Sequence, residues 1–251
     1  MTYCLGIITE SGLIMAADSR THAGVDKVSS FQKLFDFSVP GERVILTCNS
    51  GSLSLTQGVL NRIRHDIKAQ AEISLQACST LYDAACYMGG VIRQVHQQDG
   101  AWLKQEGIDF SCRFILGGQI LGEPPELYLI YNEGNFIQAT QETPFFQIGE
   151  TKYGKPILDR TLSYDTPLAT AAKCALLSID STIKSNLSVG PPINLVMYEA
   201  NSFLVQHQLK LGADNPYLIK MSTTWQNTLK QAAEDIPEID WDWQAEYLKK
   251  S

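Results

Sequence analysis

Hydrophobic and polar positions change period several times along the chain. Residues 3 to 8 and 13 to 17 are apolar and β-prone, with Glu10-Ser11-Gly12 between them as a hairpin-type turn. If Thr9 faces position 12 or 13, antiparallel register carries Thr2 opposite positions 18 to 20, so Asp18 and Arg20 sit beside the first residues of the chain. A second hairpin is predicted around Val39-Pro40-Gly41-Glu42, pairing Lys33 to Phe37 with Arg43 to Cys48. Its register sets Lys33 near Cys48 and the Asn49 to Ser52 loop. After Gly51 the spacing turns helical: Leu53, Leu55, Val59, Leu60, Ile63 and Ile67 define an amphipathic helix to about Ala69, with Ser52 as its cap.

A second helix is expected over 81 to 98, closed by an Asp99-Gly100 turn. Strands return at 110 to 116, ending on a Gly117-Gly118 turn, and at 126 to 131, 136 to 140 and 145 to 148. Helices follow at 153 to 162 and 167 to 184, the latter started by Pro167. A last hairpin pairs 193 to 199 with 203 to 211. This order of strands, two helices, strands, two helices and strands is α+β, and two antiparallel sheets each covered by a helix pair accommodate it. We expect a single domain with a core of about 2 to 211 and a C-terminal extension of about 212 to 251. In the extension, 216 to 220 reads as a strand and 222 to 233 as a helix, and Trp241, Trp243 and Tyr247 are aromatics available to cover a neighbour.

Composition narrows the function classes. The 251 residues are 44% hydrophobic and 19% charged with net charge −7, which describes a soluble globular protein. With no clustered Lys/Arg face, nucleic acid and anionic membrane are not expected partners. No signal peptide or bilayer-spanning run is evident, so a cytoplasmic protein is expected. Six scattered cysteines, without C-x-x-C spacing, predict neither a disulfide frame nor a zinc site, and Cys4 and Cys48 read as packing residues. The four histidines show no metal-ligand spacing, no serine lies in a Gly-x-Ser-x-Gly elbow, and no cofactor is implied.

Candidate chemistry gathers at the end of the first sheet. Removal of Met1 before a small residue would leave Thr2 with a free α-amine of pKa about 7.7–8.0, able to take the proton of its own hydroxyl. A nearby lysine stabilises a developing alkoxide and an aspartate keeps that lysine charged and in place. In most chains a Thr2 merely starts an edge strand. Likewise Gly51 is either a strand-to-helix turn residue or an N–H donor at a helix start.

Thr2, the segment Gly12 to Arg20, Lys33 and the segment Ser50 to Gln57 together resemble proteasome β-subunits and their bacterial relatives, which are N-terminal nucleophile hydrolases. More narrowly, Met1-Thr2-Tyr3-Cys4 without a propeptide and Ser185 to Pro192 resemble the Anbu family, the bacterial ancestral β-subunits. The resemblance implies a four-layer αββα sandwich and a threonine hydrolase acting on peptide or other amide bonds. It implies Thr2 as nucleophile, Lys33 and Asp18 as its partners, and Gly51 as oxyanion donor. Ser185 falls where most β-subunits carry an aspartate, with Ser188 three residues on, and Gly149-Glu150 where a Gly-Ser pair is usual. Glu150 either replaces the missing carboxylate or is a solvated helix-start residue. The Thr2 to Lys33 spacing is one residue short, which a bulge at Ser29 or Ser30 would absorb; Lys27 is the alternative amine.

By the same resemblance, Thr21, Phe31, Phe35, Asn49, Leu53 and Gln57 line the first substrate pocket, and the two phenylalanines and the leucine suggest an apolar substrate side chain. Expected partners are peptides or unfolded chains, further copies in a ring or open helical homo-oligomer, and a separate ATPase unfoldase, since no P-loop is present. The other reading is a catalytically silent assembly subunit comparable to proteasome α-subunits.

Overall fold

A computed structural model describes residues 2–22, 28–105, 107, 110–239 and 241. Strand β1 (Tyr3–Thr9) turns through Glu10-Ser11 into β2 (Gly12–Ala17), in the register Thr9↔Gly12 to Cys4↔Ala17. These strands form the middle of a five-stranded sheet in the order β10-β1-β2-β11-β12, where β10 is Phe145–Gly149, β11 Ile193–Glu199 and β12 His207–Leu211. Every residue of β1 and β2 is buried, as an unbroken apolar run requires when both faces of a strand are covered. A two-stranded ribbon, β3 (Arg20–His22) with β4 (Val28–Ser30), follows. The second five-stranded sheet has the order β5-β6-β7-β8-β9, made of Leu34–Asp36, Arg43–Gly51, Cys112–Ile120, Glu126–Ile130 and Phe136–Gln138.

Successive side chains on a strand point to opposite faces, and that alternation builds the layers. Val44, Leu46 and Cys48 of β6 face inward and pack with Cys4, Leu13, Met15, Ile115 and Ile148 between the sheets. Ile45 faces outward, toward α1 (Leu53–Lys68) and α2 (Leu81–Gln105), whose Leu55, Val59, Ile63, Ala85, Met88 and Ile92 close that side. On the opposite side α3 (Lys155–Thr161) and α4 (Leu168–Ser185) pair, and α4 covers β1, β2 and β11. The result is the four-layer αββα sandwich of two antiparallel sheets.

Three expectations about elements are corrected. Gly117-Gly118 is no turn, because β7 runs through it; at Gly118 a Cβ would collide with the Val44 carbonyl, so the bare backbone serves close strand approach. The second helix does not stop at Gly100 but reaches Gln105; a glycine costs a helix only about 1 kcal/mol, and His96 stacks edge-on against Phe110 beside it. Residues 216 to 220 are helical rather than extended, as part of α5 (Pro216–Glu234). The Asn215 side chain accepts from Tyr217 N (3.0 Å) and Leu218 N (3.3 Å), and Pro216 pre-sets the first helical φ.

The chain divides into two compact units, Met1–Ala213 and Asp214–Ser251. Within the second, α5 has no buried residue and Trp241 is exposed, while Trp243 and Tyr247 lie outside the described residues. No helix among the described residues is long and apolar enough to cross a membrane.

The thiols give a direct check on the packing. All six cysteines are free; Cys86 is exposed, Cys78 half-buried and the other four buried. Burial pushes the Cys78 thiol up to about 11 and Cys112 up to about 12, so neither forms appreciable thiolate at neutral pH. Brief iodoacetamide treatment of the native protein at neutral pH is expected to modify Cys86 alone, read by peptide mass mapping. Labelling of Cys4 or Cys48 at a comparable rate would contradict a closed inter-sheet layer.

Candidate active site

The two hairpin registers decide what meets Thr2. Continuing the β1–β2 pairing, Asp18 N donates to Tyr3 O (3.1 Å) and Tyr3 N donates to Asp18 Oδ1 (2.9 Å). In the other sheet Leu34 pairs with Cys48, and Asn49 N donates to Lys33 O (3.0 Å). The Lys33 side chain then crosses to the first sheet, placing Nζ 2.7 Å from Asp18 Oδ1 and 2.6 Å from Arg20 O. The short Thr2 to Lys33 spacing does not prevent this contact; Lys27 lies outside the described residues.

Asp18 is fully buried and Lys33 nearly so. Burial raises the Asp18 pKa, while the Lys33 charge and the backbone donors oppose that push. Occupancy of the oxygens shows which form is held. Oδ1 receives Tyr3 N and Lys33 Nζ; Oδ2 receives Arg20 N (3.2 Å) and Gly190 N (3.1 Å). Four donors fill the four lone-pair positions of a carboxylate and leave no place for a proton, so the pair is carboxylate and ammonium.

A third element closes around this pair. The Arg20 guanidinium donates to Leu187 O (2.9 Å) and Val189 O (3.4 Å), and Arg20 N and Ser19 N both donate to Gly190 O (3.3 Å). The loop after α4 is thereby tied to Asp18. Opposite it, Gly149 at φ +85 lies so close to Thr2 that a Cβ would strike the Thr2 carbonyl, and Glu150 N donates to Thr2 O (2.7 Å). Glu150 Oε2 accepts from Asn186 Nδ2 (3.1 Å), whose Oδ1 in turn accepts from Ser188 N (2.9 Å). Glu150 is therefore bonded to Thr2 through its backbone and to the 186–190 loop through its carboxylate. Ser185 is the exposed last residue of α4, and it is its neighbour Asn186 that reaches Glu150.

Thr2 and Lys33 open on one cavity of about 210 Å³ that also includes Gly51. Thr21, Phe31, Phe35, Asn49, Leu53 and Gln57 all line it. Gly51 ends β6 at φ +111, where a Cβ would collide with the Ser111 carbonyl; this demand for glycine holds whatever its N–H does. Ser52 stands at the start of α1 without a side-chain cap bond, its Oγ lying 3.0 Å from Ser54 Oγ. Cys4 and Cys48 are buried beside the site, with Cys4 Sγ donating to Asn49 O (3.4 Å).

Sequence reasoning missed several residues here. Tyr3 pins the start of β1 to the α4 side: its hydroxyl bonds Ser178 Oγ (2.6 Å) and Gln147, and burial pushes its pKa up to about 12. Gly190 and Asn186 fall inside a segment whose serines alone drew notice. Arg64 also lines the cavity and was readable, since it continues the helical stripe Leu53, Gln57, Leu60. Among the described residues no group of His, Cys, Asp and Glu is arranged to hold a metal ion.

No protein-family model matches the chain. Among curated proteins it is similar to a proteasome subunit beta from Haloquadratum walsbyi, 26% identical over 215 residues, covering 82% of this chain and 77% of that one. Among solved structures it is similar to Anbu (ancestral beta-subunit) from Yersinia bercovieri, with TM-score 0.90, 43% identity and coverage of 95% and 98% of the two chains. It is equally similar to the chain in the helical assembly of the Anbu complex from Pseudomonas aeruginosa, with TM-score 0.91, 42% identity and coverage of 96% and 99%.

The Asp18–Lys33 pair has a stability consequence. Asp18→Ala strands a buried ammonium and three backbone donors, for an expected loss of about 3–5 kcal/mol in urea unfolding. Lys33→Met in the Asp18→Ala background should recover part of it, because the unpaired charge is then gone. Unfolding of Asp18→Ala at the parent's urea midpoint would contradict this account of the corner.

Proposed function

Since this chain belongs to the Anbu family of ancestral β-subunits, we propose that it is a threonine hydrolase of peptide or other amide bonds, with Thr2 as nucleophile. The observation that carries the reading is the buried Lys33–Asp18 pair opening on the same cavity as Thr2. Once Met1 is removed, the Thr2 amine, directly or through a water, takes the proton of Oγ as Oγ attacks the substrate carbonyl. The Lys33 charge, held by Asp18, stabilises the developing alkoxide, and Gly51 N–H receives the oxyanion. The proton passes from the amine to the leaving nitrogen, leaving an ester on Thr2. Water, deprotonated by the same amine, hydrolyses that ester and regenerates the hydroxyl.

The Glu150–Asn186 link supports a further element of the reading. Ser185 brings no charge to the amine, whereas Glu150, bonded through its backbone to Thr2, supplies a carboxylate at the same corner and orients the amine with Ser188 and its loop. Extended chains fit a cavity of this size and folded domains do not.

A β-lactone or epoxyketone probe should attach to Thr2 in processed protein, located by mass spectrometry. Thr2→Ala should abolish both labelling and turnover, and Lys33→Ala should lower kcat by at least ~100-fold, the scale of a lost electrostatic stabiliser. Labelling elsewhere, or equal labelling of Thr2→Ala, would leave the silent assembly subunit as the reading.

The protein also self-assembles in this proposal, as the Pseudomonas aeruginosa relative is named for a helical assembly. A head-to-tail interface closes into a ring only if its rotation allows, and otherwise continues as a spiral. Tyr217, Ile219 and Leu229 on α5 and Trp241 beyond it are exposed apolar groups suited to such an interface. Light scattering should find particles well above a dimer, and smaller ones after deletion of residues 236 to 251. A monomeric parent would overturn the assembly; an unchanged particle after deletion would remove only the tail from it.

A further inference from the structure

Among the described residues, two cations line the cavity beside Thr2, and one of them is neutralised by a carboxylate. Lys33 is paired with Asp18. Arg64, which lines the same cavity, has no carboxylate within ion-pair distance among the described residues, although its helical neighbour Arg62 is paired with Asp66 at 3.0 Å. Among the described residues no Asp or Glu lines the cavity.

The guanidinium is held by something that leaves its charge intact. Arg64 Cζ lies 5.2 Å from the centroid of the Phe35 ring, a cation–π contact, and its hydrogen bond among the described residues is a long one to Asn61 Oδ1 at 3.5 Å. Phe35 and Lys33 both line the cavity. Along α1, Leu53, Gln57, Leu60 and Arg64 share one face, and long helical side chains lean back toward the helix N-terminus. That direction takes the guanidinium from Arg64 toward Gly51 and Thr2. Among the described residues most of its donors have no partner, and they form a fork that matches a carboxylate.

We propose that Arg64 is a specificity-determining residue that selects substrates carrying a glutamate immediately before the scissile bond. Phe35 and Leu53 supply apolar wall for the methylene stem, and Arg64 binds the carboxylate at its end. Aspartate is too short to use both. The preference for an apolar side chain, expected from Phe31, Phe35 and Leu53 alone, is replaced by one for an acidic side chain with an apolar stem. This inference rests on the proposed hydrolysis at Thr2, but it is a statement about binding and is tested as one.

Four labelled short peptides, identical except for Glu, Gln, Leu or Lys at that position, are titrated by fluorescence anisotropy onto the full-length Thr2→Ala protein, which holds peptide without turning it over. The fluorogenic versions are offered in parallel to the processed parent. Expected is about tenfold tighter binding of Glu over Gln at low salt, lost in Arg64→Gln and reversed in favour of Lys in Arg64→Glu. Equal binding of Glu and Gln, or a Leu preference that Arg64 variants do not change, overturns the proposal. Glu-selective binding without cleavage of any peptide leaves Arg64 as a selector and overturns the hydrolase reading. Cleavage without Glu preference does the opposite.

Discussion

A charge pair that spans two sheets governs this corner of the molecule. Asp18 belongs to the end of one sheet and Lys33 to the start of the other, and their contact at 2.7 Å is almost wholly out of water. An ionised carboxylate at such a place is costly unless every lone pair is used, and each is used, by donors from four different residues. The requirement propagates outward. Tyr3 N must face Asp18, so the β1–β2 register is set; Gly190 N must face it too, so the loop after α4 must fold over the sheet edge.

The surrounding residues make sense as answers to that demand. Arg20 holds the 187–190 carbonyls so that Gly190 stays in reach, and Gly190 itself leaves room that a Cβ would take from the guanidinium. Tyr3 anchors the strand from its other face through Ser178. Gly149 lets β10 come close enough for Glu150 N to bond Thr2. The part of the chain proposed to carry the chemistry is thus tied down from several sides, as a preorganised site needs to be, since dipoles already in place require no reorganisation when charge develops.

The distribution of charge divides this site into two regions with different surroundings. Lys33, neutralised by Asp18 and buried, contributes a fixed local field beside Thr2. Arg64 lines the same cavity, and among the described residues it rests on the Phe35 ring with no carboxylate partner. Both are positive, and on the proposed reading burial and partner make the first part of the machinery and the second part of the recognition.

Local chemistry in the sequence determined a good deal. Apolar runs broken by Glu10-Ser11-Gly12 and Val39-Pro40-Gly41-Glu42 specify two hairpins, and because side chains alternate with period two, the turn positions alone bring Asp18 beside Tyr3 and Lys33 beside Asn49. The helical stripe from Leu53 was equally legible, and Arg64 with it. What the sequence left open depended on approach between segments distant along the chain. Whether Gly117-Gly118 is a turn or a strand is decided by Val44 on a neighbouring strand, and whether the second helix stops at Gly100 by packing against Phe110. Asn186, Gly190 and Glu150 acquire their roles only when the loop after α4 and the end of β10 arrive at Thr2 from opposite sides. Turn residues and periodicity act over a few residues and can be read one segment at a time; the saturation of a buried carboxylate needs three backbone N–H groups and one lysine side chain to meet, and only the tertiary structure decides which ones.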